Sequence, residues 1–281
     1  DNLGININTE TDEYGPIVTW DESALYFTSR RSTENVLADD GKSYEKVYVS
    51  KIDANGNFQL PEVLKKISDK KHVAVQAISN NGQSMIVYKT KNSGDLYEAK
   101  MTKGDFGKPK NMKKNINTKF HETSASYSFT GDTLYFCSER DGGFGGHDIY
   151  ISIRDKKGKW GKAINLGDVI NTEYDEVSVF VQPDGQTLYF ASDGHETMGG
   201  LDIFVSKLEN GVWTKPENIV YPVNTPNDEI YFVVTKDGKY AYYSSARTDG
   251  LGGQDLYKIT LLGPQKMFAA SSATTLLRVR R

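Results

Sequence analysis

The sequence predicts an all-β fold, a five-bladed β-propeller of four-stranded antiparallel blades. Two landmarks, each recurring at intervals of about 50 residues, predict it. One is a glycine followed by an aromatic residue and then proline or alanine; the other is an aromatic residue within a β-rich run. The first landmark occurs at Gly56-Phe58-Pro61, Gly104-Phe106-Pro109, Gly158-Trp160-Ala163 and Gly211-Trp213-Pro216, and the second at Tyr48, Tyr97, Tyr150, Phe204 and Tyr257. Repeated four-stranded units of about this length are typical of propellers.

Each unit alternates short strands with tight turns. In the fourth unit, EVSVFVQ and QTLYFAS flank Pro-Asp-Gly, and LDIFVSKL and GVWTKPENI supply two further strands. The turn between the first two strands recurs as Asn81-Gly82, Asp184-Gly185 and Asp237-Gly238, because glycine and asparagine tolerate positive backbone angles. No segment has a sustained helical period, so we expect very little helix.

We expect one propeller domain over residues 1–264 and a C-terminal segment over 265–281. The units run over about 2–64, 65–112, 113–166, 167–219 and 220–264. The fifth unit has no Gly-x-Trp strand, so its outer strand could come from the C-terminal segment, from the N-terminal residues or from nothing. We expect the segment Lys266 to Leu277 to supply it, or 265–281 to act as a linker to a following domain, since the chain reads as part of a longer protein.

The composition excludes several classes of function. The net charge is −3 and the acids and bases are interspersed, which gives no basic face for nucleic acid or anionic lipid. The single cysteine, Cys137, cannot form an internal disulfide and is expected to be a buried thiol. No stretch approaches the roughly 20 apolar residues that a membrane helix needs.

A Gly-Gly-x-Asp loop occurs in the third, fourth and fifth units. It resembles a calcium or phosphate loop, but it has too few regularly spaced acids for calcium, and no helix follows it. We expect a structural turn, in which the glycines permit an unusual backbone shape and the aspartates accept turn amides. The structural repeat residues are therefore Asp148, Asp202, Asp255, Trp160 and Trp213.

A glutamate recurs in one repeat register, at the start of the innermost strand, a few residues after Asn-Thr. At the mouth of a central channel such acids could hydrolyse glycans as an acid and base pair, or bind a cation. The alternative is that each acid ties down its own loop. The acids are Glu13, Glu122, Glu176 and Glu229, and we expect them to be non-catalytic. The histidines fall at different registers, so we expect no metal site and no cofactor.

The loop after the second strand of the first unit is about seven residues longer than its counterparts. Loops on a rigid scaffold are common sites of partner recognition, although a neutral insertion is an equal alternative. The candidate partner-binding residues are Arg31, Glu34, Val36, Leu37, Asp39, Asp40, Tyr44 and Lys46.

Residues 170 to 206, INTEYDEVSVFVQPDGQTLYFASDGHETMGGLDIFVS, resemble the TolB-type, WD40-like propeller repeat. This repeat is found in envelope proteins that end in an OmpA-like peptidoglycan-binding domain, among them periplasmic components of the type IX secretion system. The resemblance implies a periplasmic scaffold that is associated with the outer membrane. It would bind protein partners of an outer-membrane secretion complex and reach peptidoglycan only through another domain. The second unit departs most, since it lacks Asn-Thr and Gly-Gly and has His72 in place of Glu176.

Overall fold

The computed structural model describes residues 1–31, 37–68 and 71–261, and these form five antiparallel sheets. Each sheet is one blade. The prediction of an all-β, five-bladed propeller is confirmed: the only helical element in the described ranges is a single 3-10 turn, Lys91–Ser93.

The blades follow one another along the chain. The first contains β1 (Glu13–Val18), β2 (Ala24–Ser29), β3 (Lys46–Lys51) and β4 (Glu62–Val63). The second contains β5 (Val73–Ile78), β6 (Ser84–Lys89), β7 (Asp95–Thr102), β8 (Asp105–Phe106) and β9 (Lys110–Asn111). The third contains β10 (Glu122–Tyr127), β11 (Thr133–Ser138), β12 (Asp148–Ile153) and β13 (Ile164–Asn165). The fourth contains β14 (Glu176–Val181), β15 (Thr187–Ser192), β16 (Asp202–Glu209), β17 (Val212–Trp213) and β18 (Glu217–Asn218). The fifth contains β19 (Glu229–Val234), β20 (Tyr240–Ser245) and β21 (Asp255–Thr260).

The core lies between neighbouring blades. One cluster joins Cys137 and Ile149 of the third blade to Leu188 and Phe190 of the fourth. These side chains belong to β-rich runs whose alternate residues face opposite sides of the sheet. Each blade therefore buries both faces only because a neighbour stands on either side.

In the described residues the ring is closed by the N-terminus, one of the sources that the sequence left open for the outer strand of the fifth blade. Asn2 forms a β-bridge with Tyr257, and the amide of Lys258 donates to the carbonyl of Asp1 at 2.8 Å. These N-terminal residues therefore cover the edge of β21, whose backbone groups would otherwise lack partners. The segment Lys266 to Leu277 lies outside the described residues.

The strand directions give the propeller two distinct ends. Every inner strand begins beside its repeat glutamate, or beside His72 in the second blade, and runs to the turn that leads into the second strand. The end with the glutamates and the loops between second and third strands is called the loop end below. The end with the tight turns between first and second strands is called the turn end.

Candidate functional site

The four repeat glutamates bind their own loops at the loop end. In the fourth blade, Glu176 accepts hydrogen bonds from the Thr172 amide at 2.8 Å, the Thr172 hydroxyl at 2.7 Å and the Ser192 hydroxyl at 2.8 Å. The same threonine and serine positions serve the other three glutamates. This pattern fastens the start of each inner strand to the connection that enters it.

The sequence left open that these glutamates are exposed at the mouth of the channel, but the structure buries them. Glu13, Glu122, Glu176 and Glu229 are all 0% exposed. Burial raises the pKa of Glu122, Glu176 and Glu229, while the hydrogen bonds from threonine and serine work in the opposite direction. Carboxylates without solvent access cannot meet a sugar or a dissolved cation.

The aspartates of the Gly-Gly-x-Asp loops organise those loops. Asp148 accepts hydrogen bonds from the Phe144 amide at 2.7 Å and from the Asn165 side chain at 2.7 Å. Asp202 and Asp255 make the same two kinds of contact in their blades.

The paired glycines in these loops are required for close packing between blades and not, as expected, for an unusual backbone conformation. Their backbone angles are not in the positive region, but a Cβ on Gly145 would lie 2.3 Å from the backbone of Glu173 in the next blade. A Cβ on Gly199 or Gly252 would also collide with the following blade's backbone. The glycines let neighbouring blades approach closely.

The two tryptophans are half-buried and pack against the clusters between blades. Trp160 lies beside Tyr127, with ring centroids 6.4 Å apart, and the guanidinium of Arg154 lies 4.1 Å from the Trp160 ring. Trp213 of the fourth blade meets Tyr135 of the third edge-on at 6.4 Å. Their contacts are structural.

The long loop of the first blade is anchored to the blade at both ends. Arg30 pairs with Asp40 at 2.6 Å and with Glu45 at 2.7 Å, and Tyr44 packs against His72 at 4.8 Å between ring centroids. Leu37 is exposed. Lys46 begins β3, and Asp39 is exposed between Leu37 and Asp40. Glu34 and Val36 lie outside the described residues.

Arg31 is a structural residue and not a free partner contact. Its guanidinium donates to the Ile7 carbonyl, lies 3.4 Å from Glu13 and contacts the rings of both Phe27 and Tyr48. Arg140 and Arg247 occupy equivalent positions in the third and fifth blades. Among the predicted partner residues that the structure describes, Leu37, Asp39 and Asp40 are exposed.

A cavity of about 420 Å³ lies in the channel and opens at the turn end. The inner strands of all five blades line it, and Trp20 and Phe129 meet at its rim with ring centroids 5.2 Å apart. Gln76 lines its wall, and its side-chain oxygen is buried without a hydrogen-bond partner.

The lining of this cavity contains one acid, Asp21, among the residues that the structure describes. The Asp21 carboxylate accepts hydrogen bonds from Thr19 and Ser23, and these bonds lower its pKa. Retaining and inverting glycosidases use two carboxyl groups about 5 to 10 Å apart. The described channel lining does not offer such a pair.

The sequence analysis did not find one group of potential metal ligands. His121, Glu139 and His147 lie together at the loop end of the third blade, with one possible ligand atom from each within 4.8 Å of the others. They stand one residue beyond the paired ends of three adjacent strands, where Glu122 pairs with Ser138 and Ser138 with Asp148. The different repeat registers of His121 and His147 therefore did not keep them apart in space, and whether they bind a metal is a separate question. Reading across strands, and not along the repeat, would have found them.

His195 plays a different part from these two histidines. It bonds the Ile170 carbonyl at 2.9 Å and packs on Phe190 and Phe204, much as Arg140 bonds the Ile116 carbonyl and covers Phe136 in the third blade. Burial lowers the pKa of His195. It thus fills a structural position of the repeat.

In the described residues, no helix has the length and apolar character required to cross a membrane.

No family model and no curated protein matches this chain. Among solved structures it is similar to TolB from Acinetobacter baumannii, at 16% identity and a TM-score of 0.53, over 88% of this chain and 54% of that one. It is also similar to a putative TolB from Agrobacterium tumefaciens, at 15% identity and a TM-score of 0.52, over 92% of this chain and 87% of that one. An endo-arabinase from Bacteroides thetaiotaomicron gives 13% identity and a TM-score of 0.57, over 94% of this chain and 98% of that one. At these identities the likeness shows the fold alone, a TolB-like β-propeller that enzymes share.

Proposed function

We propose that this propeller is a non-catalytic protein-binding scaffold in the periplasm, within an envelope protein that resembles PorE of the type IX secretion system. In that setting it would help to tether outer-membrane secretion machinery to the cell wall, with peptidoglycan held by another domain of the full-length protein. The resemblance of residues 170–206 to repeats of such envelope proteins and the TolB-like fold support this setting.

The observation that carries the non-catalytic part is the engagement of the repeat glutamates within their own blades. Each has hydrogen bonds from a threonine and a serine and no exposed surface. The same residues that could have formed an acid and base pair instead hold the blades in shape, which favours a rigid platform over an enzyme.

The partner surface that we favour is the anchored loop of the first blade. Arg30, held to Asp40 and Glu45, fixes the base of the loop, while Leu37 and Asp39 are exposed beyond it. Anchoring of the base reduces the conformational entropy that the described part of the loop, residues 37–44, would lose when it binds a partner.

A loop exchange tests this proposal. Residues 32–44 would be replaced by the short form Asp-Gly-Gly-Phe-Gly-Gly from the third blade, which keeps Arg31 and Glu45. We expect unchanged thermal unfolding and loss of specific envelope proteins from a pull-down. As a control for the new loop sequence, residues 196–200 of the fourth blade would be replaced by residues 142–146 of the third blade, which keeps His195. Unchanged capture by the first variant would refute the loop as the partner site. Turnover of a glycan by the intact domain would refute the non-catalytic reading.

A second candidate function is glycan binding in the channel. The aromatic pair of Trp20 and Phe129 at the rim, and the unpartnered Gln76 oxygen inside, are features of small-ligand pockets. Binding of cell-wall oligosaccharides by the wild type, lost in Trp20→Ala, would favour it; no binding at millimolar glycan would exclude it.

A further inference from the structure

The row of His121, Glu139 and His147 lies where three neighbouring strands of the third blade end at the loop end. His121 Nδ1 lies 3.3 Å from His147 Nε2, and Glu139 Oε1 lies 3.4 Å from His147 Nε2 and 3.9 Å from His121 Nδ1. Zinc bonds of about 2.0 to 2.2 Å in tetrahedral geometry place ligand atoms about 3.3 to 3.5 Å apart. The three atoms are thus already spaced almost as a zinc ion requires.

The contacts around both rings are compatible with the tautomers that a metal requires, in which the two electron pairs are turned toward each other. His147 Nδ1 lies 2.7 Å from Asp175 of the next blade, so this nitrogen carries the proton and Nε2 has the free electron pair. His121 Nε2 lies 3.0 Å from the Tyr88 hydroxyl oxygen, which can accept a hydrogen bond from a protonated Nε2, and the electron pair is then on Nδ1. With the Glu139 carboxylate, three acceptors then converge. A carboxylate behind a ligating histidine is the common outer-shell arrangement of metal sites.

In the first blade, the equivalent row contains a cationic side chain that pairs with the two carboxylates beside it. There the corresponding residues are Asp12, Arg30 and Glu45, and the Arg30 guanidinium lies 3.8 Å from Asp12 and 2.7 Å from Glu45. In the third blade the row consists of two imidazoles and a carboxylate, with no cationic side chain among the three positions.

We propose that His121, Glu139 and His147 bind a divalent transition-metal ion, with zinc as the best match. Two imidazole nitrogens and one carboxylate oxygen form a donor set that suits zinc, whereas calcium and magnesium prefer oxygen ligands. His121 and Glu139 are partly exposed, so the ion can enter from solvent. The fourth position is open to water or to a side chain of a bound protein. This site does not depend on the proposed scaffold function, and either can fail without the other.

Titration calorimetry with zinc chloride on the chelator-treated chain tests the proposal. We expect one zinc per chain, and affinity reduced at least tenfold in His121→Asn and in Glu139→Gln. Asparagine has the shape of the aspartate that stands at this position in the first, fourth and fifth blades, so the fold should tolerate it. The control is His195→Asn, which removes a half-buried histidine of the fourth blade and should leave the affinity unchanged.

Two further measurements make the assignment specific. Nitrogen chemical shifts of the histidine rings should show zinc on His121 Nδ1 and His147 Nε2, and calcium chloride should produce no binding heat. The proposal is overturned if the wild type binds no zinc in stoichiometric amount, if both variants bind it as the wild type does, or if His195→Asn weakens it equally. Attachment through the other ring nitrogens would overturn the geometry.

Discussion

At the scale of single residues, the turns between first and second strands show where a side chain is strained. Four of these turns have glycine in the left-handed region: Gly82, Gly131, Gly185 and Gly238, with φ of 67°, 71°, 67° and 67°. The first blade has Glu22 there, with a φ of 56°. A side chain in this region costs about 1 to 2 kcal/mol relative to glycine.

We therefore expect Glu22→Gly to stabilise the protein by about 0.5 to 1 kcal/mol, because relief of strain exceeds the added chain entropy of glycine. The matched control is Gly185→Ala, which introduces the same strain where nothing lies within 4 Å of the new Cβ. It should lower the stability by about 1 kcal/mol. Urea unfolding measures both, and changes of the same sign would contradict the argument.

Cys137 is a second residue whose environment sets a measurable property. It has no exposed surface, and burial raises the pKa of its thiol to about 12. Since the thiolate is the reactive form, the folded protein should resist thiol reagents at pH 8, and labelling should follow unfolding by urea. Cys137→Ser serves as the control that cannot be labelled. Serine already occupies the equivalent position of the fifth blade, at Ser244. Rapid labelling without denaturant would show that the third blade opens locally.

At the scale of elements, the sequence predicted the strands and the tight turns but not the cross-strand row of His121, Glu139 and His147. The strands follow from local patterns such as Leu188-Tyr189-Phe190, a short run of apolar and aromatic residues that is readable along the chain. His121 and His147 became neighbours only when β10, β11 and β12 were in register. Likewise the role of Gly145 depends on the backbone of the next blade, which no local pattern records.

The hairpin that carries Trp213 supports the interface with the preceding blade. We expect Trp213→Ala to cost about 2 to 3 kcal/mol, below the 3 to 5 kcal/mol typical of a fully buried ring, because this ring is only partly buried. Val212→Ala in the same strand is the control: Val212 is 65% exposed and its replacement should change the stability by less than about 0.5 kcal/mol. Thermal unfolding compares the two. Equal effects would mean that the hairpin and not the ring supplies the contact.

At the scale of the whole molecule, the N-terminal residues make the same hydrogen bonds to the fifth blade that the connections between blades make elsewhere in the ring. Asn8 accepts a hydrogen bond from the Leu256 amide at 2.8 Å and donates to the Leu256 carbonyl at 2.9 Å. Asn171 makes the same pair of bonds with Ile149 in the third blade. The sequence showed this equivalence, since the opening residues match residues 164–170. It left the source of the outer strand open because pairing across the two ends of a chain leaves no local signal.

If the N-terminus closes the ring, Asn8→Ala should be as damaging as Asn171→Ala. Each removes two buried hydrogen bonds and leaves a backbone amide without a partner, at a cost of about 2 to 3 kcal/mol. A ring with a loose seam would instead tolerate Asn8→Ala, because the fifth blade could detach from the first without disturbing the others. Chemical unfolding of the two variants decides between these outcomes, and hydrogen exchange locates the effect: in Asn8→Ala the Lys258 amide, which bonds Asp1, should lose its protection, while in Asn171→Ala it should keep it.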